Sequence, residues 1–244
     1  MKLLRQLRNF TRGEFLLAVV MTAVASGQDL IENTLRTGEN LFAPVPVSIL
    51  ATGALGSFCM FKTEEPSGYR GILPGQPFRT FDMIDNFIFG EALPVSAAAF
   101  WAAGILADSD QIEDTGEELC RGLLYTYSIV QTLKFTTGRL RPDRSNNRSF
   151  PSAHAAGASC VTAVLWHRYG AEVGIPLSAL ALYTCVSRVN IGKHFPSDVF
   201  LGSAVGVACG IASALVEGEG LGDSFAFSLS VDIDTEGRIT PGLW

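Results

Sequence analysis

Charge and histidine are both scarce in this chain. Of its 244 residues 17% are charged and 48% hydrophobic, with a mean hydropathy of +0.27, whereas soluble domains carry roughly 25% charged residues. Disorder is thereby excluded, and a membrane-bound or tightly packed all-helical chain is favoured. Cations are outnumbered, 18 Lys and Arg against 24 Asp and Glu, a net charge of −6. This balance argues against nucleic acid as the main partner, so any anion must be held by a local cluster of cations. The five cysteines, Cys59, Cys120, Cys160, Cys185 and Cys209, form no C-x-x-C pair, which argues against a cysteine zinc site or a disulfide framework. The last three lie in Ala/Val/Gly-rich stretches and read as small buried hydrophobes. A three-histidine metal site would need His154, His167 and His194 together, and His167 sits apart in the polar run Trp166-His167-Arg168-Tyr169.

What the chain has in quantity is apolar, helix-compatible sequence without repeats. Pro44 to Phe61, Phe87 to Ala107, Arg121 to Thr136, Ala155 to His167, Val173 to Val189 and Val199 to Val216 read as helices. The breakers Gly138/Pro142, Gly170/Pro176 and Pro196 separate the last four. Asp108 to Glu118, with six carboxylates, is expected to be a solvated link or a helix start. Near the end, apolar residues at 225, 227, 229, 231 and 233 alternate with the period of a half-buried strand, and Glu236-Gly237 offers a turn before Ile239 to Trp244. The expected fold class is all-α, a bundle of about six helices with a small C-terminal β hairpin or ribbon. At the other end Lys2, Arg5, Arg8 and Arg12 precede a short apolar run, Phe15 to Ala25. That pattern is similar to a secretory signal, the alternative being a retained anchor or a first amphipathic helix.

Three clusters carry chemistry. Lys134, near a helix end, is followed by Arg139 and by Arg141-Pro142 in the next loop, so an ammonium and a guanidinium fork can converge on one anion. Such a cluster can equally complement a helix dipole. Pro151-Ser152-Ala153-His154 opens a helix, with Ser152 suited to the N-cap, where free N–H groups favour an anion, and His154 in the first turn. Finally come Ser187-Arg188, His194 and Asp198, with Pro196 fit for the first turn of the last helix. A carboxylate on one imidazole nitrogen leaves the other bare as a nucleophile. Four residues at these fixed spacings arise by chance in roughly one chain of this length in a thousand or fewer, so the third cluster is specific.

Together the clusters resemble the signature of the type 2 phosphatidic acid phosphatase and vanadium haloperoxidase superfamily, K-x6-R-P, then P-S-G-H, then S-R-x5-H-x3-D. Lys134, Arg141 and Pro142 match the first part, Pro151, Ser152 and His154 the second, and Ser187, Arg188, His194 and Asp198 the third. Ala153 stands where the family has glycine, which restricts how closely the backbone approaches an oxygen there. The short Asp143 to Phe150 gap implies a tight loop over the site. The resemblance covers Leu119 to Val216.

It implies a metal-independent, cofactor-free phosphatase of phosphomonoesters or diphosphates, with a lipid or small phosphoester as substrate. His194, oriented by Asp198, would form a phosphohistidine, and His154 would act as acid and then base. Lys134, Arg141, Ser152, Ala153 and Arg188 would hold phosphate oxygens. Vanadate is expected to inhibit. The alternatives are a vanadate-dependent haloperoxidase, in which vanadate is the cofactor, and a catalytically idle envelope protein. The expected division is 1–27 signal or anchor, 28–118 first helices, 119–216 catalytic core and 217–244 acidic tail. The expected location is the cell envelope with the site on the non-cytoplasmic, periplasmic side, the protein being exported, anchored or an integral protein of six spans.

Overall fold

The computed structural model describes residues 29–64 and 92–217, together with the strands 231–233 and 239–241. Seven α-helices are found among them: α1 (29–40), α2 (Pro44–Phe61), α3 (Ala92–Ala107), α4 (Asp110–Thr137), α5 (Ala153–Tyr169), α6 (Ala171–Asn190) and α7 (Pro196–Ala214). The expected leader at 1–27, the start of α3 at Phe87 and most of the loop after Lys62 lie outside the described residues. So does the Phe225 to Ser230 part of the expected strand; what is described is an antiparallel pair, β1 (Val231–Ile233) and β2 (Ile239–Pro241).

Three departures from the apolar pattern have physical causes. α1 docks by polar contacts, which hydrophobic periodicity does not register. Its Asn33 donates to Glu117 (3.1 Å), its Asn40 to the Ala212 carbonyl (3.1 Å), and Tyr125 donates to the Thr34 carbonyl (2.9 Å). The acidic run is helix rather than link, and its end is not solvated: Glu118 is fully buried, held by Arg168 Nε at 2.6 Å, while buried Arg121 pairs with Glu117. Buried charges persist when paired in this way. α6 runs through Pro176, leaving Gly170 (φ 72°) as the actual break.

A helix end and a helix–helix seam position the site. α4 ends at Gly138, whose left-handed φ of 55° closes the helix with its N–H on the Lys134 carbonyl. α5 and α7 meet along a seam of small residues, with Ala155, Ala156, Ala163, Val205, Ala208 and Cys209 all buried. A side chain at Gly206 would overlap the Ala156 carbonyl oxygen, and one at Gly202 would lie 2.5 Å from that of Ser152. Backbone therefore rests on backbone, and the first turns of α5 and α7 are fixed against each other. Ser152 N–H donates across the seam to the Asp198 carbonyl at 2.9 Å.

Candidate active site

All eight residues marked by the sequence lie at one pole of the bundle, where α4 and α6 end and α5 and α7 begin. Lys134 is buried in the last turn of α4 and donates to the Arg148 carbonyl at 2.8 Å. Ser152 is the N-cap of α5 and accepts from Ala155 N–H at 3.4 Å. Ala153 packs against the core cluster of Val130, Ala156, Val205 and Cys209, so the methyl that replaces the family glycine is absorbed by packing. His154 follows, its Nε2 buried and without a hydrogen-bond partner among the described residues. Arg188, Arg141, Lys134 and His194 all lie close enough to act electrostatically on the His154 ring. Arg188 is 2% exposed at the end of α6, and its carbonyl accepts from His194 N–H at 3.1 Å.

The surroundings of His194 add a backbone partner to the expected pairing with Asp198. Its Nδ1 lies 2.6 Å from the Ser149 carbonyl oxygen and 3.6 Å from Asp198 Oδ2. A carbonyl only accepts, so Nδ1 carries the proton and Nε2 keeps the lone pair. Asp198 is completely buried beside the ring. Its Oδ2 accepts from Phe195 N–H (2.8 Å) and from the Ser149 hydroxyl, and its Oδ1 accepts from Arg139 (2.6 Å). Burial pushes the His194 imidazole down to about 4, with Lys134 and Arg141 adding to the effect and Asp198 opposing it. The ring is therefore neutral near pH 7.

The loop above the site is tight, as the short spacing predicts. Arg141 N–H donates to the Asn146 carbonyl (3.0 Å), Ser149 N–H to the Arg139 carbonyl (3.0 Å) and Asp143 N–H to the Gly192 carbonyl (3.0 Å). Lys193 closes the loop with an ion pair to Asp143 at 2.7 Å. The Asp143 carboxyl, which its partial burial would raise, is held down at about 2 by the Lys193 and Ser145 hydrogen bonds. His167 lies at the opposite pole beside Glu118, 3.6 Å away. Among the described residues no group of three or more His, Cys, Asp or Glu could hold a metal ion.

Four further residues join the site without a place among the eight. Ser149 supplies the carbonyl and hydroxyl just described. Arg139, Glu64 and Ser197 form a buried network behind Asp198. Arg139 stands in the sequence between Lys134 and Arg141, but Glu64 is separated from Ser197 by 133 positions, and no local pattern marks it.

The PAP2 superfamily family model matches residues 118–219. The lipid A 4'-phosphatase of Helicobacter pylori is 34% identical over 99 residues, 36% of this chain and 50% of that protein. The decaprenylphosphoryl-5-phosphoribose phosphatase of Mycobacterium tuberculosis is 31% identical over 111 residues, 41% of this chain and 59% of that protein. The chain thus spans half to three fifths of the length of these two relatives. A crystal structure of Aquifex aeolicus LpxE aligns with a TM-score of 0.40 and 24% identity, covering 59% of this chain and 98% of that one.

Proposed function

We propose, from the match of residues 118–219 to the PAP2 superfamily model, that this chain is a metal-independent phosphatase of lipid-linked phosphoesters, with His194 as its nucleophile. The observation that carries the reading is the 2.6 Å bond from His194 Nδ1 to the Ser149 carbonyl. It leaves Nε2 as the basic nitrogen of a neutral ring, among Lys134, Arg141 and Arg188.

The chemistry follows from these groups. Burial, with Arg188 adding to it, holds the His154 imidazole down at about 3, so its donated proton is one that a phosphoester monoanion brings with it: Nε2 attacks phosphorus as the bond to the leaving oxygen breaks, and that oxygen takes this proton from His154. His154 then removes a proton from water, whose oxygen attacks the phosphohistidine and frees Nε2 with release of phosphate. Lys134, Arg141 and Arg188 neutralise the phosphoryl oxygens, with the first N–H groups of α5 as additional donors. Two of these cations are held before substrate arrives, Lys134 by the Arg148 carbonyl and Arg188 by its burial.

A lipid substrate is supported by the surface. α2 and α7 are long and apolar enough to cross a membrane, and α2 is only 17% buried over its apolar window. Leu106, Phe42 and Phe135 are 87%, 84% and 89% exposed, an amount of apolar surface that water disfavours and a bilayer does not. A groove of about 590 Å³ lined by Met60, Leu182, Val186, Val189, Pro196 and Phe200 runs between α2, α6 and α7. Its Val189 follows Arg188 and its Pro196 lies two positions after His194, which supports an acyl or prenyl chain lying in the groove while its phosphate occupies the pocket. We take the site pole to face the non-cytoplasmic side of the envelope, in keeping with the cations of the N-terminus.

The test is phosphate release by the detergent-purified chain from a long-chain lipid monophosphate and from para-nitrophenyl phosphate, with acid-labile phosphoprotein trapped by rapid quench. Wild type should turn over and label, and His194→Gln should do neither. Halide oxidation with vanadate and peroxide in place of phosphate release would overturn the reading.

A further inference from the structure

Behind Asp198 lies a chain of buried charges that the phosphoryl chemistry above does not use. Arg139 spans two carboxylates. Its Nη1 donates to Asp198 Oδ1 at 2.6 Å and to Ser197 Oγ at 2.7 Å, and its Nη2 donates to Glu64 Oε2 at 2.8 Å. Glu64 in turn accepts from the Ser197 backbone N–H at 2.7 Å and from the Ser197 hydroxyl at 2.6 Å, so it also caps the first turn of α7. The Arg139 guanidinium is sandwiched between two rings, 4.5 Å from the centre of Phe61 and 4.0 Å from that of Phe195. The Arg139, Glu64 and Asp198 side chains are 15%, 4% and 0% exposed. Such a desolvated array is costly to build unless its charges are paired, and here one guanidinium serves both carboxylates.

We propose that Glu64 and Arg139 are positioning residues for the nucleophile: with Asp198 they form a carboxylate–guanidinium–carboxylate chain that fixes the Ser149–Asp198 scaffold around His194 and balances the charge Asp198 presents to the ring. This inference rests on His194 being the nucleophile. Geometry and charge both enter. Asp198 Oδ2 receives the Ser149 hydroxyl, and the Ser149 carbonyl holds Nδ1, so a displaced Asp198 displaces the ring's own anchor. Arg139 alone would draw the Asp198 charge away from the imidazole; Glu64 offsets that pull. The other charged or titratable groups around the ring are Lys134 from α4, Arg141 from the loop, Arg188 from α6 and His154 from α5. With no carboxylate among those four, Asp198 and its partners set the balance.

The pair therefore predicts opposite effects from two charge-neutral replacements. Arg139→Gln removes the cation beside Asp198, so His194 holds its proton more tightly and its titration midpoint rises. Glu64→Gln leaves the guanidinium uncompensated, so the midpoint falls. In the double variant the two shifts largely cancel, and Arg139→Lys, which keeps the charge, returns the midpoint toward wild type. Turnover should drop roughly 10- to 100-fold in either single variant, with KM within about twofold of wild type.

The experiment is ring-nitrogen NMR titration of histidine-labelled full-length chain in detergent micelles, with His194 assigned by His194→Gln, alongside kcat and KM for para-nitrophenyl phosphate. Thermal melts identify the variants that fold, and the double variant keeps the charge balance should a single variant unfold. Opposite midpoint shifts with a fall in kcat support the proposal. Unmoved midpoints in folded single variants overturn it, as does a rise in KM alone, which would make Arg139 a substrate contact. The NMR arm needs no turnover: opposite midpoint shifts in the variants of a protein that releases no phosphate would sink the phosphatase reading and the positioning role together, leaving only the electrostatic coupling of Glu64 and Arg139 to His194.

Discussion

The Ser149 carbonyl oxygen sits 2.6 Å from His194 Nδ1, so the backbone of one loop dictates which nitrogen of the imidazole can act as a base. It follows that His194→Gln, which fits the same volume without a nucleophile, should lower phosphate release by at least about a thousandfold. Circular dichroism and the thermal midpoint should stay close to wild type. Turnover of wild-type order from the folded variant would rule out His194 as nucleophile.

The anchor is a carbonyl, so the Ser149 side chain matters less than its backbone. Ser149→Ala removes one donor to Asp198 and keeps the bond to His194, and should cost no more than about tenfold in kcat/KM. Asp198→Asn turns an amide N–H₂ toward donors that need an acceptor and should cost about a hundredfold or more. Initial rates for the two purified variants check the order, which a dominant serine hydroxyl would reverse.

The depressed His194 value has a definite sign for pH. The unfolded chain protonates this ring near 6.5 and the folded one near 4. Below pH 6.5 the unfolded state therefore binds more protons, and the contribution to stability present above 6.5 is lost as pH falls through 4. The thermal midpoint of wild type should decline between pH 6.5 and 4, and His194→Gln should decline less. Equal slopes would contradict the buried neutral ring.

Two glycines should respond to alanine in different ways. At Gly206 the new methyl meets the Ala156 backbone, which cannot rotate away, and the cost should be about 2–3 kcal/mol with loss of activity. At Gly138 there is open space around the Cβ position but φ is 55°, so the cost is the left-handed strain alone, about 1 kcal/mol. Denaturant melts of both variants give the comparison.

Chelation and vanadate probe the reaction from the ligand side. Activity should survive dialysis against EDTA, and orthovanadate should inhibit competitively, as a trigonal-bipyramidal mimic of the transferring phosphoryl group. Restoration of a chelated enzyme by zinc or magnesium would require a different mechanism.

The sequence displays the parts of this site that obey short-range rules and hides those that do not. Ser152, His194 and Asp198 can be located because caps, turns and helix starts are local, and the structure puts each at the expected end of α5 or α7. The two-residue partnership of Asp198 and His194 is legible only as proximity. The closer bond goes to a main-chain oxygen, and main-chain atoms carry no residue code. Glu64 is invisible for another reason: its partners come from the far end of the chain through the packing of α2 on α7. Burial of Glu118 and Arg121 escapes in the same way, since a run of carboxylates looks solvated until Arg168 arrives from α5. The helices of the core announce themselves by apolar pattern, whereas α1, which docks through Asn33 and Asn40, does not.

The bare-backbone seam between α5 and α7 also has a bearing on speed. His154 and Asp198 stand on the first turns of two helices whose main chains touch, and Ser152 is hydrogen-bonded across the join. On the proposed reading, the proton donor and the nucleophile's support thus lose their relative translational freedom once, when the chain folds, rather than in each catalytic cycle. In kinetic language such a site holds its proposed acid and nucleophile at a fixed effective molarity. Only the proposed lipid substrate would have to be brought into register.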